Sequence, residues 1–175
     1  MQFAISTLSR GPTATRAGYL AMAEAADRLG YGFVSVNDHV VVPGDVASTY
    51  PYSEDGTWAA ADEGFCLEQL SLLSFLAACT KRVRLLTSVM VVPHRHPILA
   101  AKMIATADVL SEGRVTVGVG AGWMREEFEL LGAPYDDRGA ATDEYLRAFK
   151  ALWTQAKPTF KGRFVTFEGV LFAPK

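Results

Sequence analysis

Apolar residues along this chain fall into two rhythms that alternate from the first residues onward. Short, nearly unbroken runs at Phe3–Ser6, Phe33–Val36, Val83–Val92 and Arg114–Gly118 read as strands. Unbroken rather than alternating apolarity suits strands covered on both faces, as in a parallel sheet between helices. The intervening stretches carry the helical period. Over 13–29, Met22, Ala25, Ala26 and Leu29 share one face, Glu24, Asp27 and Arg28 the other, and Gly30 ends the helix. Phe65–Cys79 predicts a second helix through Leu67, Leu70, Leu73 and Leu76. Pro97 opens a third, with Ala100, Met103, Ile104, Ala107 and Leu110 on one side and Ser111-Glu112-Gly113 as its stop. A fourth helix is predicted over Trp123–Leu131, closed by Gly132, and a fifth over Ala141–Trp153 with Tyr145, Phe149 and Leu152 inward. Thr159–Phe172 alternates weakly around Gly162 and Gly169, the pattern of a small hairpin.

Strand and helix in regular order, joined by right-handed crossovers, make a parallel sheet with helices outside. Both a (β/α)8 barrel and an open doubly wound sheet are built this way, and the glycines separate them. A dinucleotide fold places G-x-G-x-x-G directly after its first strand. Here that turn reads Ser6-Thr7-Leu8-Ser9-Arg10-Gly11. Gly118-Val119-Gly120-Ala121-Gly122 comes after the fourth strand with the wrong spacing, and no Walker lysine follows a glycine-rich turn. The expected fold is therefore α/β of the (β/α)8 TIM-barrel type. Residues 1–175 form one domain holding about the first four βα units, an excursion helix and a hairpin.

In such a barrel the residues just past each strand share the active rim. Those positions are Ser6-Thr7, Asn37-Asp38-His39, Ser88-Val89-Met90 and Gly120-Ala121-Gly122-Trp123. They hold no carboxylate pair spaced for glycoside hydrolysis and no nucleophile elbow. Small residues, one imidazole and a large aromatic suit a flat heteroaromatic ligand. The segment Asn37–Gly64, rich in Pro, Gly, Asp, Ser and Tyr, is long enough to be a functional loop. Asp38-His39 reads either as a proton-handling pair or as a loop anchor beside a half-exposed imidazole. His94-Arg95-His96 is expected to serve local capping and anion contact, not a metal. Glu126, Glu127 and Glu129 are expected to complement a helix dipole.

Composition narrows the class without changing it. Half the residues are apolar and the formal net charge is −2, which argues against nucleic acid or an anionic membrane as partner. Cys66 and Cys79 fit no CxxC or zinc spacing and read as reduced thiols of a cytoplasmic protein. Met1–Ser6 has no basic leader, and no apolar stretch is long enough to span a bilayer.

At these residues the chain resembles the luciferase-like monooxygenase superfamily, in its deazaflavin-dependent branch. The motifs are Val36-Asn37-Asp38-His39, Leu86–Pro97, Ala101-Lys102, Leu110–Arg114, Gly118–Trp123, Glu127-Phe128, Arg138-Gly139, Asp143-Glu144 and Leu152-Trp153, in family order. The resemblance implies coenzyme F420, or alternatively FMN, bound across the barrel mouth. It implies a small organic substrate reduced by hydride transfer; the alternatives are an FMN-dependent two-component monooxygenase and a non-enzymatic relative. Asp38, His39, Ser88, Val89, Ala121 and Gly122 would face the ring, with a non-prolyl cis peptide at Ser88-Val89. His39 and Trp123 would be the catalytic side chains, Trp123 as a substrate wall where some sugar-oxidising relatives carry a glutamate. Family members continue past the position of Lys175 with a fifth strand and three further units. Three expectations follow: part of a longer enzyme, a short protein completed as a homo-oligomer or by another chain, or a degenerate relative without an intact cofactor site.

Overall fold

The computed structural model describes residues 1–58 and 64–175; residues 59–63 of the long loop lie outside the described residues. Its elements in chain order are β1 (Ala4–Thr7), α1 (Arg16–Leu29), β2 (Phe33–Val36), α2 (Gln69–Cys79), β3 (Arg84–Val91) and α3 (Pro97–Leu110). They are followed by β4 (Val115–Gly120), α4 (Arg125–Leu130), α5 (Arg138–Thr154), β5 (Phe160–Lys161) and β6 (Thr166–Phe167). The first four strands form one parallel sheet in sequence order, with Ala4 opposite Phe33, Phe33 opposite Arg84 and Leu85 opposite Val115. This is the arc of a (β/α)8 barrel, helices outside. β5 and β6 make the antiparallel hairpin expected near the end of the chain.

Two apolar clusters hold the arc. One packs Tyr19, Ala23 and Ala26 of α1 and Leu72, Leu73 and Leu76 of α2 onto Val34, Val36 and Leu85 of the sheet. The other packs Ile104 of α3 and Phe149 and Leu152 of α5 onto Met90 and Val92, with Phe167 and Phe172 of the tail closing over it. Buried Glu144 ties that tail down by accepting the backbone N–H groups of Arg163, Phe164 and Val165.

Several boundaries differ from the apolar pattern, each for a physical reason. α2 starts at Gln69 because the Glu68 carboxylate caps it, accepting from the Leu70 and Ser71 N–H groups; 65–68 has no regular secondary structure. α4 starts at Arg125, because Gly122 takes a φ of 86° and holds the preceding turn out of helical geometry. The inward stripe of α1 is Tyr19-Ala23-Ala26, while Leu29 is 61% exposed beyond the edge of the arc. Among the described residues no helix is long and apolar enough to cross a membrane.

Candidate active site

The C-terminal ends of β1–β4 surround a cavity of about 770 Å3. Asp38, His39, Ser88, Val89, Ala121, Gly122 and Trp123, scattered over the sequence, all line it. Its floor is built by an irregularity in β3. Thr87 pairs with Val117, but Met90 pairs with Val119, so Ser88 and Val89 bulge out of the ladder. The Ser88-Val89 peptide is cis, as the resemblance implies. The glycines of β4 make room for this bulge. A Cβ on Gly118 would lie 2.4 Å from the Thr87 carbonyl oxygen, and one on Gly120 2.7 Å from Val89 Cγ2.

Asp38 fixes the bulge from behind. Its Oδ2 accepts the Val91 N–H at 2.8 Å, and both its oxygens are held by Arg95, Nη1 at 2.9 Å and Nη2 at 2.8 Å. Arg95 also donates to Glu68 Oε1, from Nε at 2.9 Å and Nη2 at 2.6 Å. One guanidinium thus joins the end of β2, the bulge of β3 and the cap of α2. Burial alone would favour loss of its charge, but Asp38 and Glu68 hold it firmly charged. Asp38 therefore touches the cavity wall while both its oxygens are committed to the scaffold, the anchoring half of the two readings its sequence allowed.

His39 is in direct contact with a buried glutamate. Glu127 Oε2 lies 2.8 Å from His39 Nδ1, while Oε1 accepts the N–H groups of Val40 at 2.7 Å and Val41 at 3.2 Å. Burial pushes the Glu127 carboxyl upward, but the His39 hydrogen bond, the neighbouring imidazoles and the Val40 N–H outweigh it and bring it below its ordinary value. Glu126, next in sequence, accepts from Ala47 N–H, Ser48 N–H and the Ser48 hydroxyl. The acidic first turn of α4 is therefore more than a dipole complement: it pins the 40–48 segment along the cavity. Beyond it, Tyr50 and Trp58 meet Trp123 edge to face at 5.0 and 6.0 Å, and Trp58 lies 4.5 Å from the His39 ring. Arg10 stacks on Trp58 at 4.9 Å. The Trp123 turn is held by Tyr135, whose hydroxyl donates to the Trp123 carbonyl, and by Arg138 Nε donating to that of Gly122.

His94 departs from the expected capping role. It makes no cap on α3; its ring packs edge to face on Phe128 at 4.6 Å, and both ring nitrogens are buried without a partner. Its nearest carboxylate oxygen is Glu127 Oε1, at 3.8 Å. His96 likewise gives α3 no side-chain cap. Among the described residues no three His, Cys, Asp or Glu side chains converge as a metal site.

Burial lowers the His94 pKa from its ordinary 6.5. The unfolded chain therefore binds this proton more readily than the folded one. The corresponding stability is complete above about 6.5 and is lost as pH falls from there through the folded value. Glu68 and Glu127, both lowered from 4.5, add a loss that begins only below about 4.5. Urea unfolding across pH should show an onset below 6.5 that His94→Leu removes, while the loss below 4.5 remains. An unchanged profile in His94→Leu would contradict this assignment.

Arg10, Tyr50 and Trp58 are site residues that the sequence pattern did not single out, and Glu127 and Arg95 were expected only as a helix-dipole complement and as a capping or anion contact. The only hints were that Glu127 and Arg95 lie inside family-like motifs; the contact between His39 and Glu127 spans 88 positions, beyond any local period.

Comparison with known proteins agrees with this architecture. The family described as luciferase-like monooxygenase matches residues 1–175. An uncharacterized protein of Mycobacterium tuberculosis is 37% identical over 147 residues, covering 84% of this chain and 52% of that protein. The FMNH2-dependent dimethylsulfone monooxygenase of Pseudomonas putida is 34% identical over 111 residues, 62% of this chain and 30% of its own length. Among solved structures, the monooxygenase RslO1 from Streptomyces bottropensis superposes with a TM-score of 0.75 at 29% identity, covering 100% of this chain and 50% of that one. The coenzyme F420-dependent tetrahydromethanopterin reductase of Methanopyrus kandleri has a TM-score of 0.68 at 18% identity, covering 98% and 46%, a likeness of fold. The chain thus spans about half the length of the mycobacterial relatives it matches. With an arc of parallel βα units and a family match along its whole length, this chain belongs to the luciferase-like monooxygenase family.

Proposed function

We propose that this chain supplies the first half of a flavin-type oxidoreductase site, with the deazaflavin ring of coenzyme F420 lying across the β3 and β4 ends. The observation that carries this is the floor of the cavity. The bulge at Ser88-Val89 and the small residues Gly120, Ala121 and Gly122 line the cavity as a ledge, its close packing shown by the Cβ that would press on Val89 from Gly120 and on Phe128 and Val91 from Gly122. A planar ring can approach such a ledge closely. Bound there, a deazaflavin would supply hydride chemistry. The chain's own residues divide the remaining work. Ser88, Val89, Ala121 and Gly122 form the floor, and Asp38 with Arg95 holds its shape. His39 presents an imidazole at the side of the cavity, and Trp123 with Tyr50 and Trp58 forms an aromatic wall that shields a small organic substrate from water.

A second reading, FMN serving an oxygenase, is supported by the similarity to the Pseudomonas putida enzyme. The ledge would accept either ring, and the resemblance of Asp38-His39 to the pair of deazaflavin-using members is what favours F420. Fluorescence titration with each cofactor separates the two. His39→Ala should weaken binding of the preferred cofactor about tenfold, the worth of one charge-assisted hydrogen bond, with an unchanged far-UV spectrum. Equal affinity in the variant would remove His39 from the cofactor site.

A further inference from the structure

We infer that Glu127 is a positioning residue which fixes the tautomer of His39, so that this imidazole exchanges its proton only at Nε2. The inference rests on the reading of His39 as a side chain facing the reacting ligand. It starts from how the two carboxylate oxygens divide their partners. Oε1 accepts two backbone N–H groups, those of Val40 and Val41, at 2.7 and 3.2 Å. Oε2 is left to His39 Nδ1 alone, at 2.8 Å.

Glu127 is fully buried, and an ionised carboxylate has only acceptor sites to offer. Its carboxyl titrates below the ordinary range, so it is ionised at neutral pH. The proton in the short contact therefore sits on Nδ1. A neutral His39 carries its lone pair on Nε2, and a protonated one carries an N–H there. Nε2 makes no hydrogen bond with any described residue, while the ring lines the cavity and lies tilted against Trp58 at 4.5 Å. His94 Nδ1, 3.8 Å from the other oxygen, is beyond hydrogen-bond distance and does not compete.

A loop anchor would need only Oε1, so the assignment to Oε2 separates a positioning role from a structural one. In Glu127→Gln the carboxamide oxygen remains the acceptor for Val40 and Val41, since both donors there are backbone N–H groups. The NH2 group must then face His39 and donate to Nδ1, which pushes the imidazole proton to Nε2. The variant should keep its fold and reverse the tautomer.

Nitrogen-15 spectra of histidine-labelled full chain, recorded at alkaline pH, read this directly, with His39→Ala identifying the signal. The expected result is an Nδ1–H imidazole in the wild type and an Nε2–H imidazole in Glu127→Gln, with the thermal midpoint within a few degrees. An Nε2–H imidazole in the wild type would overturn the inference even if the variant failed to fold. An unreversed tautomer in a folded variant would also overturn it. Titration with F420 and FMN on the same samples keeps the two readings apart. Cofactor binding that depends on His39 with the wrong tautomer defeats the inference alone; the expected tautomer with no cofactor binding defeats the functional reading alone.

Discussion

Replacing Arg95 with methionine is expected to destabilise the folded chain by about 3–5 kcal/mol, the cost of leaving a buried charge unpaired. The Asp38 side chain is 0% exposed and that of Arg95 8%, so water cannot take the place of the guanidinium. The variant keeps an unbranched apolar stem and loses the guanidinium with its hydrogen bonds to Asp38 and Glu68. Because whole domains are stable by only about 5–15 kcal/mol, the effect should be plain in the urea midpoint. Combining Arg95→Met with Asp38→Asn should recover most of it, since the amide oxygen still accepts the Val91 N–H and the carboxylate left without its partner, Glu68, is 30% exposed and still caps α2. A single-variant cost below about 1 kcal/mol, the ordinary worth of an exposed ion pair, would show that this network does not hold the bulge.

Gly122→Ala is the second large effect. The residue has a φ of 86°, where an L side chain costs about 1–2 kcal/mol. Its Cβ would fall 2.6 Å from Phe128 Cε2 and 2.7 Å from Val91 Cγ1, and overpacking of this kind costs about 1–3 kcal/mol. The expected sum is about 2–5 kcal/mol, accompanied by loss of ligand binding at the ledge. Gly139→Ala is the matched control. That position in α5 has an ordinary φ and open space around the added atom, so alanine should stabilise the helix by about 0.5–1 kcal/mol. Equal effects at the two positions, measured by urea unfolding, would contradict the close packing of the β4 turn.

Much of the fold was legible because it is written in local periods. The unbroken apolar runs gave the four strands of the parallel sheet, and the absence of a glycine fingerprint after β1 separated barrel from dinucleotide fold. What the periods missed is long-range. Glu68 stops α2 from starting at Phe65 through a capping geometry that hydrophobicity does not encode. Leu29 fits the helical stripe yet faces outward, since the stripe that packs is set by the small residues Ala23 and Ala26. At the site, the strand-end rule brought Asp38, His39, Ser88, Val89, Ala121, Gly122 and Trp123 together around one cavity, while Ser6, Thr7 and Met90, which it also named, do not line it. It said nothing of Arg95 or Glu127, whose partners lie 57 and 88 positions away. Both residues sat in charged segments whose simplest local reading is helix capping, and only the folded chain shows which carboxylate each imidazole or guanidinium meets.

The central claim is that the ledge formed by Ser88-Val89 and Gly120–Gly122 holds a flavin-type ring. Titration of this chain with F420 and with FMN, followed by ligand fluorescence and by quenching of Trp58 and Trp123, tests it most directly. Saturable binding of one of the two, lost in Gly122→Ala and retained in Gly139→Ala, is the predicted result. Binding of neither up to about 1 mM, a free energy of about −4 kcal/mol, would contradict it.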